Sequence, residues 1–215
     1  MANANNLHIV SHPLVAAKLS ALRQTVTNHK DFREGIYDLS YILGVEASRD
    51  IPVTEFRGTS PIADFTGSKI TESIALLPIL RAGLPMSDAL LRLFPEAKCF
   101  HLGLFREKVS LQPVEYYSKL PTTPDVDRVF LLDPLIATGG TICAALQMIV
   151  DWGFPISRVK LLVILASRDG LDIVLKQFPE LEIWVAAVDP VLTPQGIISP
   201  GLGDAGDRLN NTSQH

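Results

Sequence analysis

The residues with the most chemical content form one run, Val129-Phe130-Leu131-Leu132-Asp133-Pro134-Leu135-Ile136-Ala137-Thr138-Gly139-Gly140-Thr141. An apolar stretch of strand character ends in an acid. A short turn follows, and Thr-Gly-Gly-Thr opens a helical pattern. The first turn of a helix carries unpaired N–H groups and the positive end of the helix dipole. Two glycines let a ligand approach the backbone closely, and the Thr138 and Thr141 hydroxyls add donors. Together these make a cradle for a phosphate monoester. It is not a nucleoside-triphosphate loop, because Gly-x-x-x-x-Gly-Lys-Ser/Thr occurs nowhere in the chain.

Other apolar runs end in charge as well. Arg81 follows Ser73–Leu80, Arg106 follows Lys98–Phe105, Asp133 ends the run from Arg128, Arg168-Asp169 follow Arg158–Ala166, and Asp189 follows Glu182–Val188. Any strand meets polar residues on reaching solvent, so one such position says little. The set says more, because ligands of open parallel sheets bind beyond the carboxyl ends of the strands. Near the C-terminus, Gly201-Leu202-Gly203-Asp204-Ala205-Gly206 matches Gly-x-Gly-x-x-Gly. A dinucleotide reading fails on context: Pro200 precedes the motif, and no strand–helix–strand unit follows it. The five histidines show no metal spacing, and neither Cys-x-x-Cys nor His-Glu-x-x-His occurs.

The elements that must position these residues are legible from periodicity. Val15, Leu19, Leu22 and Val26 predict a first helix after Pro13; Phe32, Ile36, Leu39 and Leu43 predict a second, with Asp31 as cap and Gly44 as its end. Residues 48–70 are broken by Pro52, Gly58, Pro61 and Gly67 and read as irregular structure or short edge strands. The five apolar runs named above are nearly continuous in Val, Ile and Leu, which suits strands buried on both faces. Helical stripes lie between most of them: Met86, Ala89, Leu90, Leu93; Ile142, Ala145, Leu146, Ile149, Val150; and Leu171, Val174, Leu175, Phe178. The rhythm predicts an α/β fold with an open, mainly parallel five-stranded sheet and flanking helices. Residues 106–127 break it and read as a projecting flap.

Composition narrows the class. A length of 215 residues suits one domain, and 47% hydrophobic with 20% charged residues is globular. The net charge of −4 disfavours general nucleic-acid binding. Two cysteines, Cys99 and Cys143, are too few for a disulfide framework and suit a reducing compartment. No apolar run approaches the length of a bilayer span, and Met1–Val10 lacks the pattern of an export signal. The expectation is a soluble cytoplasmic protein.

The cradle resembles the 5-phosphoribosyl-1-pyrophosphate (PRPP) signature of type I phosphoribosyltransferases. Its acid followed by proline, Asp133-Pro134, is the form found in uracil phosphoribosyltransferases. Three further segments are similar to that family: Pro78-Ile79-Leu80-Arg81-Ala82-Gly83-Leu84 to its pyrophosphate loop, Tyr116-Tyr117-Ser118-Lys119-Leu120-Pro121 to its flap, and Pro200 through Arg208 to its C-terminal uracil site. They occur in the family's order between His12 and Arg208. The chain departs from the pattern at Glu107-Lys108-Val109-Ser110, Val45-Glu46-Ala47 and Ile198-Ser199, and lacks a final Phe-Gly-Thr.

The resemblance implies the type I phosphoribosyltransferase fold as a single domain over 1–215. Helices and an irregular segment fill 1–70, the flap is 106–127, and 190–208 is the uracil-binding loop. It implies transfer of the 5-phosphoribosyl group from PRPP to uracil N1, giving UMP and pyrophosphate. Asp133, Arg81 and Arg106 would be catalytic. PRPP would be held by these together with Pro134, Leu135, Ile136, Ala137, Thr138, Gly139, Gly140, Thr141 and Asp204. Uracil would meet Ile198, Gly203, Asp204 and Ala205. Mg²⁺ would be carried mostly by PRPP and water, with Asp204 as its protein contact. A homodimer or homotetramer and a GTP effector are further expectations; nucleic acid and membrane are not expected as partners. Two other readings stand beside this one: a phosphoribosyltransferase for another base, and a regulatory nucleotide- or RNA-binding protein on the same fold.

Overall fold

The computed structural model describes residues 6–106 and 113–212, apart from the side chains of Phe105, Arg106 and Pro113. In chain order the elements are β1 (Leu7–Ile9), α1 (Pro13–Arg23), α2 (His29–Ala47), β2 (Val53–Thr59), β3 (Asp64–Ile70), β4 (Ile74–Leu80), α3 (Leu84–Leu93), β5 (Lys98–Cys99), β6 (Leu102–Arg106), β7 (Pro113–Ser118), β8 (Arg128–Leu132), β9 (Leu135–Ile136), α4 (Gly140–Asp151), β10 (Val159–Ser167), α5 (Arg168–Gln177), β11 (Glu182–Asp189), β12 (Val191–Leu192), β13 (Ile198–Ser199) and α6 (Ala205–Asn210).

The five apolar runs become the middle of one sheet, in the order β11-β10-β8-β4-β6, all parallel. The sheet is wider than five strands. β1 pairs parallel with β11, β7 pairs antiparallel with β6, and the short β5 and β9 pair with β4 and β10. β1 has three residues, too few to show a period, and Lys98–Phe105 is split at Phe100-His101 into two short strands.

Successive side chains of a strand face opposite ways, and the core divides accordingly. Phe130 and Leu132 of β8, with Leu76 of β4, join α2 and α3 on one face; Val129, Leu131 and Leu77 join α4 and α5 on the other. This double burial explains the continuous apolar runs. At the amino end of β10, Lys160 is buried but paired with Asp50 at 2.5 Å and Glu182 at 3.4 Å, and it donates to the Ala47 carbonyl at 2.8 Å.

Several helix boundaries differ from expectation. α1 stops at Arg23, so Val26 leaves the stripe and is 82% exposed. Asn28 caps α2, its side-chain oxygen accepting from Asp31 N at 3.0 Å, which puts Asp31 in the first turn. Gly44 does not end α2. It lies inside, where a Cβ would sit 2.8 Å from Leu93 and 3.3 Å from Leu90, so glycine permits the close approach of α3. Of the two readings of residues 48–70, irregular structure or short edge strands, strands hold for 53–70, but β2 and β3 pair antiparallel with each other in a separate sheet instead of edging the main one.

Candidate active site

Each loop at the carboxyl edge of the sheet brings one chemical element. After β4, Arg81 and Ala82 lead into α3 through Gly83, whose N–H donates to the Ile79 carbonyl at 2.8 Å. The Leu80–Arg81 peptide is cis. A Cβ on Gly83 would lie 2.5 Å from the Leu132 carbonyl oxygen, so the turn fits against β8 only without a side chain. Gly83→Ala is therefore expected to cost about 1–3 kcal/mol of stability, read from denaturant midpoints. The Arg81 side chain is 55% exposed, with Nη2 4.0 Å from Asp207 Oδ1. It is loosely held and able to turn toward a ligand.

After β8 the chain passes through Asp133 and Pro134. The Pro134 carbonyl accepts from Ile164 N and Leu165 N, both at 3.0 Å, which ties the turn to β10. Asp133 keeps partial solvent contact through the cavity, while protein encloses its other sides. This loss of hydration pushes its carboxyl up to about 7; the weak N–H from Leu135, at 3.4 Å, offsets little of it. The turn ends at Gly139, with φ +82°, in the left-handed region that favours glycine. A Cβ there would also press on the Gly170 carbonyl at 2.9 Å. Gly139 offers no side-chain cap to α4, so the first N–H groups of that helix keep their donor capacity. Ser167 secures the turn by donating to the Ala137 carbonyl and accepting from Gly170 N.

The third element follows β11. β12 and β13 make a small antiparallel hairpin, and the Ser199–Pro200 peptide after it is cis. Gly201 (φ +64°) and Gly203 (φ +80°) turn the chain into α6. Asp204 caps that helix, its Oδ1 accepting from Asp207 N at 2.9 Å.

These loops enclose one cavity of about 460 Å³. Of the residues expected to hold PRPP, Arg81, Asp133, Pro134, Leu135, Ala137, Thr141 and Asp204 line it. Thr138, Gly139 and Gly140 complete the turn into α4 beside them. Ile136 differs from expectation. Its side chain is 1% exposed and packs in the core, because it belongs to β9 in the sheet. Ile198, Gly203 and Ala205, expected at the base, line the cavity as well. Arg106 ends β6, and its side chain falls outside the described residues, as do residues 107–112 of the flap. The described part of the flap, β7, contributes Tyr116 to the lining.

Asp189 lies at the carboxyl edge but not in the cavity. Burial pushes its carboxyl up, yet Arg23 beside it and the Gly201 N–H more than offset this and hold it below the usual range. Arg168 and Asp169 begin α5 and are exposed. Periodicity and spacing missed Gln195, Gly196 and Ile197, which also line the cavity. They lie in the tip between two strands of two residues each, too short to leave a period. Asp207 was missed as the neighbour of Arg81, although its place three residues after a capping acid is a sequence signal for a first helical turn.

The fold has counterparts among known proteins. A family model described as uracil phosphoribosyltransferase matches residues 9–212. A uracil phosphoribosyltransferase of Roseiflexus sp. (strain RS-1) is 46% identical over 204 residues, covering 95% of this chain and 97% of the relative. A solved structure of an Aquifex aeolicus protein superposes with a TM-score of 0.90 at 36% identity, covering 97% of this chain and all of that one. An adenine phosphoribosyltransferase from Trypanosoma brucei shares the fold, with a TM-score of 0.55 at 14% identity over 89% of this chain and 86% of that one. A match over nearly the whole length, in sequence as well as in fold, places this chain in the uracil phosphoribosyltransferase family.

Proposed function

We propose that the two walls of the cavity divide the family's reaction, PRPP and uracil to UMP and pyrophosphate, between them. One wall takes PRPP. The start of α4, with Thr138, Gly139, Gly140 and Thr141, holds the 5′-phosphate. Asp133 accepts a ribose hydroxyl, and Arg81 neutralises the pyrophosphate; Arg106 is placed beside it by the resemblance. The other wall takes uracil through backbone groups of Ile198, Gly203 and Ala205. A base with an amino group at position 4 would leave buried polar groups unpaired there, at about 1–3 kcal/mol each.

In the reaction the bond from ribose C1′ to the pyrophosphate oxygen breaks, and its electron pair leaves with pyrophosphate. Uracil N1 bonds to C1′, and its proton passes to solvent water. The ring is positively charged in between, and the Asp133 carboxylate is the anion placed to favour it. The chain does no covalent chemistry, so positioning and fixed charge carry the rate. The single observation that supports this reading is that Arg81, Asp133 and Thr141 share one cavity with Ile198, Gly203 and Ala205.

Magnesium suits this donor set as an ion carried by substrate. Among the described residues no group of three or more His, Cys, Asp or Glu could hold a metal. The exposed Asp204 carboxylate spends one oxygen on capping α6 and keeps the other. When bound, magnesium supplies positive charge to the leaving pyrophosphate. Asp204→Asn is expected to raise the Mg²⁺ concentration needed for half-maximal rate severalfold. An unchanged Mg²⁺ titration would remove Asp204 from that role.

The reaction is tested with purified protein, uracil, PRPP and Mg²⁺, with and without GTP, the effector implied by the resemblance. UMP and pyrophosphate are expected in equal amounts; no product under either condition overturns the reading. We place the enzyme in the cytoplasm, in keeping with the free Cys99 and Cys143. A homo-oligomer is supported by β2–β3, which forms its own two-stranded sheet with Val53, Phe56, Phe65 and Ile70 exposed. A lone hairpin is at best marginally stable, and a second copy of the chain would cover it. Light scattering at micromolar concentration is expected to give a dimer or tetramer mass; a monomer mass would refute this.

A further inference from the structure

We infer that Arg23 and Arg208 are positioning residues that clamp the uracil-reading loop to the end of α1. This rests on the reading above, in which residues 198–205 hold the base. Neither guanidinium lines the cavity, so any effect they have on uracil must pass through the backbone they hold.

The contacts are specific. Arg23 Nη1 donates to the Gly201 carbonyl at 2.8 Å and to Asp189 Oδ2 at 2.7 Å, and Nη2 donates to Asp189 Oδ1 at 2.6 Å. Asp189 Oδ2 also accepts from Gly201 N at 2.9 Å. Both backbone groups of Gly201 are thereby taken by one ion pair, in which Asp189 is buried and Arg23 half-buried. On the next residue, the Leu202 carbonyl accepts from Arg208 Nη1 at 2.7 Å. The Arg208 guanidinium also donates to the Leu22 and Gln24 carbonyls and lies 4.1 Å over the Phe32 ring.

The anchor is physically apt. Arg23 is the last residue of α1, and Leu22 and Gln24 flank it. The last carbonyls of a helix lack partners within it, and its C-terminal end attracts cations. Arg208 satisfies two carbonyls at that end and Arg23 is the cation of its last turn, and the two engage consecutive carbonyls of the loop. Gly201 and Gly203 lie in the left-handed region, where a chain of glycines has little stiffness of its own. The clamp fixes residues 201 and 202 and leaves the backbone groups of Gly203 and Ala205 facing the base. A misplacement of about 1 Å can cost about 100-fold in rate.

Steady-state kinetics on Arg23→Met and Arg208→Met test this. Each is expected to raise the KM for uracil at least about tenfold while the KM for PRPP, measured at saturating Mg²⁺, rises far less, because every part of the PRPP wall except Asp204 lies outside the clamped loop, where Ser167 and Pro134 hold the turn before α4. Arg208→Lys, which keeps the charge and some carbonyl bonds, is expected to restore part of the loss. If Arg23→Met does not fold, because Asp189 is left buried and unpaired, the double variant Arg23→Met/Asp189→Asn removes both charges and is expected to show the same rise. Wild-type uracil KM in the single and double variants overturns the proposal. Equal losses for both substrates, tracking a lower melting temperature, overturn it in favour of general stability. Ala205→Leu, which fills the base wall directly, separates the two readings. If it raises the uracil KM while the arginine variants do not, the loop reading stands and the clamp falls; if it has no effect, the loop reading itself falls.

Discussion

Arg81→Ala is expected to lose about two to three orders of magnitude in kcat/KM for PRPP while unfolding at nearly the wild-type denaturant midpoint. Arg81 contributes little to the fold: its side chain is 55% exposed and its one ionic neighbour among the described residues, Asp207, is 4.0 Å away. Surface substitutions of that kind usually stay within about 0.5 kcal/mol. Its contribution to the reaction is larger. A guanidinium can meet two oxygens of a pyrophosphate at once, and charge-assisted hydrogen bonds are worth about 1.5–3 kcal/mol each. Part of that acts only as charge gathers on the leaving group, so kcat falls as well as affinity. Arg81→Lys should recover part of the loss, since it keeps the charge without the fork. Wild-type turnover in Arg81→Ala would remove this residue from the site.

Asp133→Asn is expected to separate activity from stability in opposite directions. Burial pushes the carboxyl up to about 7 in the folded chain from an ordinary value of 3.8. Between those values the native state holds a proton that the unfolded state has lost. Stability therefore falls as pH rises from about 4 to about 7 and levels off above. The full gap corresponds to at most about 4 kcal/mol; residual solvent contact through the cavity reduces this to about 1–3 kcal/mol. An amide carries no charge to bury and can still accept from Leu135 N. Asp133→Asn should thus be more stable than wild type at pH 8 and equal to it near pH 4, by urea unfolding at both. Its kcat should fall about 100-fold or more, because the anion facing the developing positive charge is gone. PRPP affinity should also lose its Asp133-linked decline below pH 7; comparing the two proteins cancels titration of the substrate's own phosphates. A wild-type protein whose stability is flat from pH 4 to 8 would refute the shifted carboxyl.

Much of the scaffold was legible because its strands are buried on both faces. Apolar side chains on alternate faces of β8, such as Val129 and Phe130, belong to different halves of the core, and no polar residue interrupts the run from Val129 to Leu132. What periodicity missed was short or bought its stability elsewhere. β1 has three residues and exists because β11 offers it an edge. Gly44 reads as a helix end, but the side chains of α3 lie where its Cβ would be.

The same division runs through the candidate site. Asp133, the Thr-Gly-Gly-Thr turn and Arg81 were legible as chemistry because each combines a special backbone demand with a charged or donor group, and both are properties of residue type. Ile136 belonged to that run but turned into the core, since pairing of β9 with β10 sets which side chains face the cavity. Asp189 looked like one more acid at the sheet edge; only folding brought Arg23 to it from the far end of the chain. The ion pair, the raised carboxyl of Asp133 and the meeting of residues 81, 133 and 205 all depend on distance and on lost hydration. Residue order and type therefore carry the local conformations and the kind of ligand, because those arise within a few peptide units. Which groups share a cavity, and with what charge, is decided by contacts between segments distant in sequence, as Arg23 and Asp189 are, 166 residues apart.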